Sequence, residues 1–110
     1  MMKILVLGDV MASSGRNAIK KNLYDILEKN KINFSVINGE NAADDGKGIT
    51  KEIAEELFSL GIDVITSGNH IWDKQETIKF IEEESRLLRP ANLAEGSPGK
   101  GYGIFLSKDK

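Results

Sequence analysis

Asp9, Glu40, Asn41, Asn69 and His70 are the residues whose types could hold cations or move protons, and each follows a glycine directly or one residue later. They fall at three junctions, Gly8-Asp9, Gly39-Glu40-Asn41 and Gly68-Asn69-His70. Asp9 and Glu40 supply hard anionic oxygens, Asn41 and Asn69 supply amide oxygens, and His70, the only histidine, supplies an imidazole. Mixed carboxylate, amide and imidazole ligation suits manganese, iron(II) or zinc. A carboxylate has two oxygens and can bridge two cations, and Glu40 occupies the middle junction. Two such ions can clamp the attacking and leaving oxygens of a phosphoryl displacement. A glycine before each ligand would let the backbone turn sharply and let a phosphate approach closely.

The elements around these junctions read as a repeated βα unit. Residues 3–7 (KILVL) form a continuous apolar run, which predicts a parallel strand buried on both faces. Ser13 or Ser14 is the expected cap of a helix through Ile19, Leu23, Ile26 and Leu27, whose spacing gives one apolar face. Residues 34–37 (FSVI) predict a second strand. Thr50 opens a second helix with Ile53, Leu57 and Leu60 on one face and Gly61 as its C-cap. Residues 62–66 (IDVIT) predict a third strand, and 75–84 a third helix with Ile78 and Ile81 inward. Residues 86–89 (RLLR) read as a short fourth strand and 102–107 (YGIFLS) as a last one. The order βαβαβαββ implies crossovers and a mostly parallel sheet in a single domain spanning 1–110. All three junctions then lie at the carboxyl edge, where such sheets bind ligands.

Blander roles compete for these residues. Asn38-Gly39 and Gly68-Asn69 are turn dipeptides in their own right. Asp9 could cap the following helix. Asp44 and Asp45 read as a solvated loop, Glu82 to Glu84 as an exposed helix face, and Trp72 as packing. The joint pattern favours a converging site.

The chain has 110 residues, 40% of them hydrophobic and 29% charged, which describes an ordinary globular composition with one modest core. A net charge of -2 provides no basic field for extended nucleic acid. No cysteine is present, which removes disulfides and thiolate sites and suits the cytoplasm. The apolar run near the start is too short for a signal-peptide core, and no stretch reaches membrane-spanning length. Gly99-Lys100 lacks the Ser/Thr and the first glycine of a phosphate loop, and no G-x-G-x-x-G follows the first strand. Val10 stands where a GDS-type esterase places its nucleophile, so that chemistry is unsupported.

The segments LGDVMASSGR, INGENAADDGKGIT, ITSGNHIWDK and LLRPANLAEGSPGKG run through nearly the whole chain. With them the chain resembles the YmdB-like branch of the calcineurin-like metallophosphoesterases. The resemblance implies a four-layer αββα sandwich, of which this chain would be the N-terminal portion. It implies two divalent ions, iron or manganese with zinc admissible, and hydrolysis of small 2′,3′-cyclic nucleotides. By position, Asp9 and Asn41 would bind one ion, Glu40 would bridge both, and Asn69 would bind the second. His70 would donate a proton to the leaving oxygen. The family's further histidines come from a second half, so this chain alone is expected to bind metal weakly and turn over poorly or not at all. The alternative is a non-catalytic nucleotide- or protein-binding domain of the same fold. An unfinished sheet edge would also admit self-association.

Overall fold

The computed structural model describes residues 1–107. It contains β1 (Ile4–Asp9), α1 (Ala12–Asn30), β2 (Phe34–Asn38), α2 (Lys51–Leu60), β3 (Val64–Thr66) and α3 (Gln75–Glu83). The strands form one parallel sheet in the order β1-β2-β3. The α/β class expected from the alternating pattern is therefore observed, and β2 lies between the other two strands. Leu23, Ile37, Leu57, Ile65 and Ile71 are fully buried at the centre of the core.

Local chemistry explains two helix ends. The Thr50 hydroxyl accepts from the Ile53 N–H at 3.1 Å, and Gly61 closes α2 with φ +118°. A β-carbon on Gly61 would sit 2.7 Å from Leu27 Cδ1, so glycine also lets α1 approach α2. α1 starts differently from expectation. Neither Ser13 nor Ser14 caps it; Met11 holds the cap position with no side-chain hydrogen bond. The chain turns into the helix at Ala12 (φ +50°), whose N–H donates to the Asn41 carbonyl at 2.9 Å. A tertiary bond to the Glu40–Asn41 loop thus replaces a local cap.

Several strand expectations are corrected. β1 extends through Gly8 and Asp9 with a register shift between Leu7 and Asp9, so Asp9 lies inside the strand. It is also not buried on both faces. Leu5 and Leu7 pack against the core, whereas Ile4 is 55% and Val6 73% exposed, because the described residues cover only one face of β1. Residues 86–89 make a single parallel bridge, Ile65 to Leu87, rather than a full strand. Residues 102–107 form no strand, and Tyr102, Ile104 and Leu106 stand in solvent. In α3 the buried positions are Thr77, Phe80 and Ile81, which share one helical face; Ile78 falls outside it and is exposed. The remaining tail, 108–110, lies outside the described residues.

Candidate functional site

Parallel pairing brings the carboxyl ends of all three strands to one edge of the sheet. Asp9 ends β1. Gly39, Glu40 and Asn41 follow β2, and Ser67 to His70 follow β3. Backbone bonds knit these ends together: Val10 N–H donates to the Asn38 carbonyl at 3.1 Å, and Gly39 N–H to the Thr66 carbonyl at 2.8 Å. Because β2 is central, Glu40 springs from between the other two junctions in space as well as in sequence.

The side chains make two direct associations across strands. Asn41 Nδ2 donates to Asp9 Oδ2 at 2.8 Å. That bond leaves the Asn41 amide oxygen and the second Asp9 oxygen for another partner. The Glu40 carboxylate lies against Gly68, where an added β-carbon would collide with both carboxylate oxygens. Glu40 is thereby held beside the backbone that carries Asn69 and His70. Asn69 is exposed and His70 about one third exposed on that same turn. His70 Nδ1 lies 2.9 Å from Asp73 Oδ2.

The glycines act otherwise than a sharp-turn reading expects. Gly8, Gly39 and Gly68 are absent from the positive-φ positions. Gly39 is needed for packing, since a β-carbon would fall 2.8 Å from Ile65 Cγ2, and Gly68 admits the Glu40 carboxylate. Asp9 does not cap α1. Asn38 does form a turn, its Oδ1 accepting the Glu40 N–H at 3.0 Å, and that same bond fixes the backbone from which Glu40 projects.

Residues outside the sequence-derived set hold the loop 41–49 in place. Arg16 reaches from α1 to the Ala42 carbonyl at 2.6 Å and to Asp44 at 2.7 Å. Lys74 Nζ binds both oxygens of Asp45, at 3.0 and 2.8 Å. Asp44 and Asp45 are exposed, as expected, yet each anchors the loop through an ion pair. Lys74 and the Lys47 backbone N–H hold the Asp45 carboxyl below the usual carboxylate range. Two signals could have marked these partners: an arginine near the positively polarised start of a helix, and a carboxylate three residues after the only histidine. The expected glutamate face is also more engaged than a solvated one. Glu82 accepts from Gly99 N–H at 2.9 Å, and Glu84 pairs with Arg86 at 2.8 Å. Trp72 packs half-buried against the core, in keeping with a structural role.

Among the described residues, no group of three or more His, Cys, Asp and Glu side chains gathers as a metal cage. The set at the strand ends is instead a carboxylate and amide set. Its hard oxygens suit manganese and iron(II), and the Asp9–Asn41 contact leaves one oxygen on each side chain to offer.

A family model described as YmdB-like protein matches residues 5–110. The chain is 50% identical over 109 residues to the 2′,3′-cyclic-nucleotide 2′-phosphodiesterase of Bacillus subtilis, covering 99% of this chain and 41% of that protein. It is 34% identical to a putative phosphatase/phosphodiesterase of Mycoplasma genitalium, covering 38% of its length. Among solved structures, a novel phosphatase of Mycoplasma pneumoniae superposes with a TM-score of 0.87 at 33% identity, over 96% of this chain and 38% of that one. A hypothetical protein of Thermus thermophilus superposes at 0.82 with 39% identity, over 91% and 38% respectively. The chain thus spans about two fifths of the length of these relatives.

Proposed function

From the premise that the chain belongs to the YmdB-like family, we propose that it supplies part of a two-metal phosphodiesterase centre acting on 2′,3′-cyclic nucleotides. The observation that carries this reading is the pairing of Asp9 with Asn41 and the seating of Glu40 against Gly68, which gather three strand ends around one edge. The name of the Bacillus subtilis relative supports the substrate class. Asp9 and Asn41 would hold one divalent ion, Glu40 would bridge, and Asn69 would hold the second. Iron or manganese fits these oxygens best. Bound ions would supply positive charge that offsets the charge gathering on the phosphoryl oxygens.

The chain's own residues do the rest. Asn38 fixes the backbone of Glu40, and Gly68 leaves room for its carboxylate. Asp73 occupies one ring nitrogen of His70, so Nε2 remains to give its proton to the leaving oxygen as the P–O bond breaks. The chain would work in the cytoplasm, which its lack of cysteine suits, and no described helix is long and apolar enough to cross a membrane.

Manganese titration with this chain, followed by calorimetry, tests the site. Weak binding is expected, reduced at least about 10-fold in Asp9→Asn and Glu40→Gln. Hydrolysis of 2′,3′-cyclic AMP by this chain alone should be slow or absent, because most of the relatives' length is not in it. Unchanged binding in both variants would remove the metal roles. The chain's single histidine motivates a second reading, a non-catalytic nucleotide- or protein-binding domain of the same fold. A chain that ignores manganese but binds the cyclic nucleotide would establish the nucleotide-binding form.

A further inference from the structure

The His70 imidazole does not stand alone. Its Nδ1 lies 2.9 Å from Asp73 Oδ2, and the two side chains are 33% and 35% exposed. The backbone closes the same turn, with Asp73 N–H donating to the His70 carbonyl at 3.0 Å. Between them Ile71 is fully buried, its N–H donating to the Gly68 carbonyl at 3.1 Å. Histidine and carboxylate therefore project from a turn rooted in the core, next to the glycine that faces Glu40.

A second loop presses on this turn. Gly48 has φ +78°, and a β-carbon there would lie 3.0 Å from the His70 carbonyl oxygen and 3.4 Å from Asp73 Cβ. The Lys74–Asp45 ion pair joins the two segments from outside. The loop is closed on itself by Gly46 N–H to the Ala43 carbonyl at 2.8 Å and Ala43 N–H to the Gly48 carbonyl at 2.9 Å. Its root is Glu40, whose carbonyl accepts from Gly48 N–H. A continuous set of bonds thus runs from Glu40 through the loop to the neighbour of Asp73.

We infer that Asp73, braced by the Asp45–Lys74 pair, is a positioning residue that holds His70 with Nδ1 toward its own carboxylate and Nε2 toward the reacting phosphoester. The inference rests on the reading of His70 as proton donor. A carboxylate on Nδ1 selects the ring form that carries hydrogen there. In the charged ring, Nδ1–H stays on Asp73 while the Nε2 proton passes to the leaving oxygen. In the neutral ring that results, Nε2 keeps its lone pair.

Side-chain ¹⁵N spectroscopy of this chain tests the arrangement without metal or substrate, because a single histidine gives a single imidazole pattern. At a pH where the ring is neutral, the wild type should show the Nδ1–H tautomer. Asp73→Ala should lose that signature in favour of Nε2–H, and Asp73→Asn, whose amide oxygen still accepts, should keep it. Lys74→Ala leaves the carboxylate but frees the loop, and should lower the Nδ1–H population. An Nε2–H wild type, or Nδ1–H persisting in folded Asp73→Ala, would overturn the inference, and an unchanged Lys74→Ala spectrum would remove the brace. If the alanine variant does not fold, the wild-type spectrum still decides. Failure of the phosphodiesterase reading would show instead as unchanged manganese binding in Asp9→Asn and Glu40→Gln, with the tautomer unaffected.

Discussion

A methyl group at Gly68 would occupy the space of the Glu40 carboxylate. Gly68→Ala should therefore displace Glu40 while leaving the fold intact, since Gly68 is not a positive-φ position. Its manganese affinity should fall about 10- to 100-fold, and calorimetry beside Glu40→Gln would measure this. Asp45 makes a second prediction at this scale. Its carboxyl is held low by Lys74 and the Lys47 N–H, so its contribution to stability is present above the ordinary carboxylate range. That contribution is lost as pH falls through its own depressed value. Thermal midpoints of wild type and Asp45→Asn should differ most above pH about 5 and converge in stronger acid. That Asp9, Glu40, Asn41, Asn69 and His70 fall at neighbouring strand ends was legible because glycines bound those apolar runs. The pairings of Arg16 and Lys74 were not, because Asp44 and Asp45 lie far along the chain and these residue types are common on any surface; Asp73, three residues after His70, was within reach of a local reading.

Among elements, α3 is tied to the approach to α2 by one buried bond, from the Thr77 hydroxyl to the Ile49 carbonyl. Thr77→Val keeps the shape and strands that carbonyl, which should cost about 1–3 kcal/mol in urea unfolding. Thr50→Ala removes a side-chain cap and should cost about 1 kcal/mol. The Thr50 cap and the Gly61 stop were readable because capping is local chemistry. The start of α1 was not, because a bond from Ala12 to Asn41 takes the place of a cap. The inward face of α3 was misread by a single position, since Ile78 and Ile81 are both apolar and only packing shows that Thr77 belongs inside.

Across the whole molecule, Ile4, Val6, Tyr102, Ile104 and Leu106 expose apolar surface. This chain should bind the dye ANS in its folded state, and Val6→Glu should reduce that fluorescence without lowering the thermal midpoint. No dye binding would show that the surface is covered in solution. Sequence alone determined the alternation of strand and helix, the parallel sheet and the placing of three glycine-marked junctions at its carboxyl edge, because periodicity, glycine and capping act within a few residues. Only the tertiary structure decided that β2 is central, that β1 is an edge strand with one face left uncovered by the described residues, and that Gly68 makes room for the Glu40 carboxylate. Each of these depends on which distant segments share one space, and no local preference of the chain encodes that.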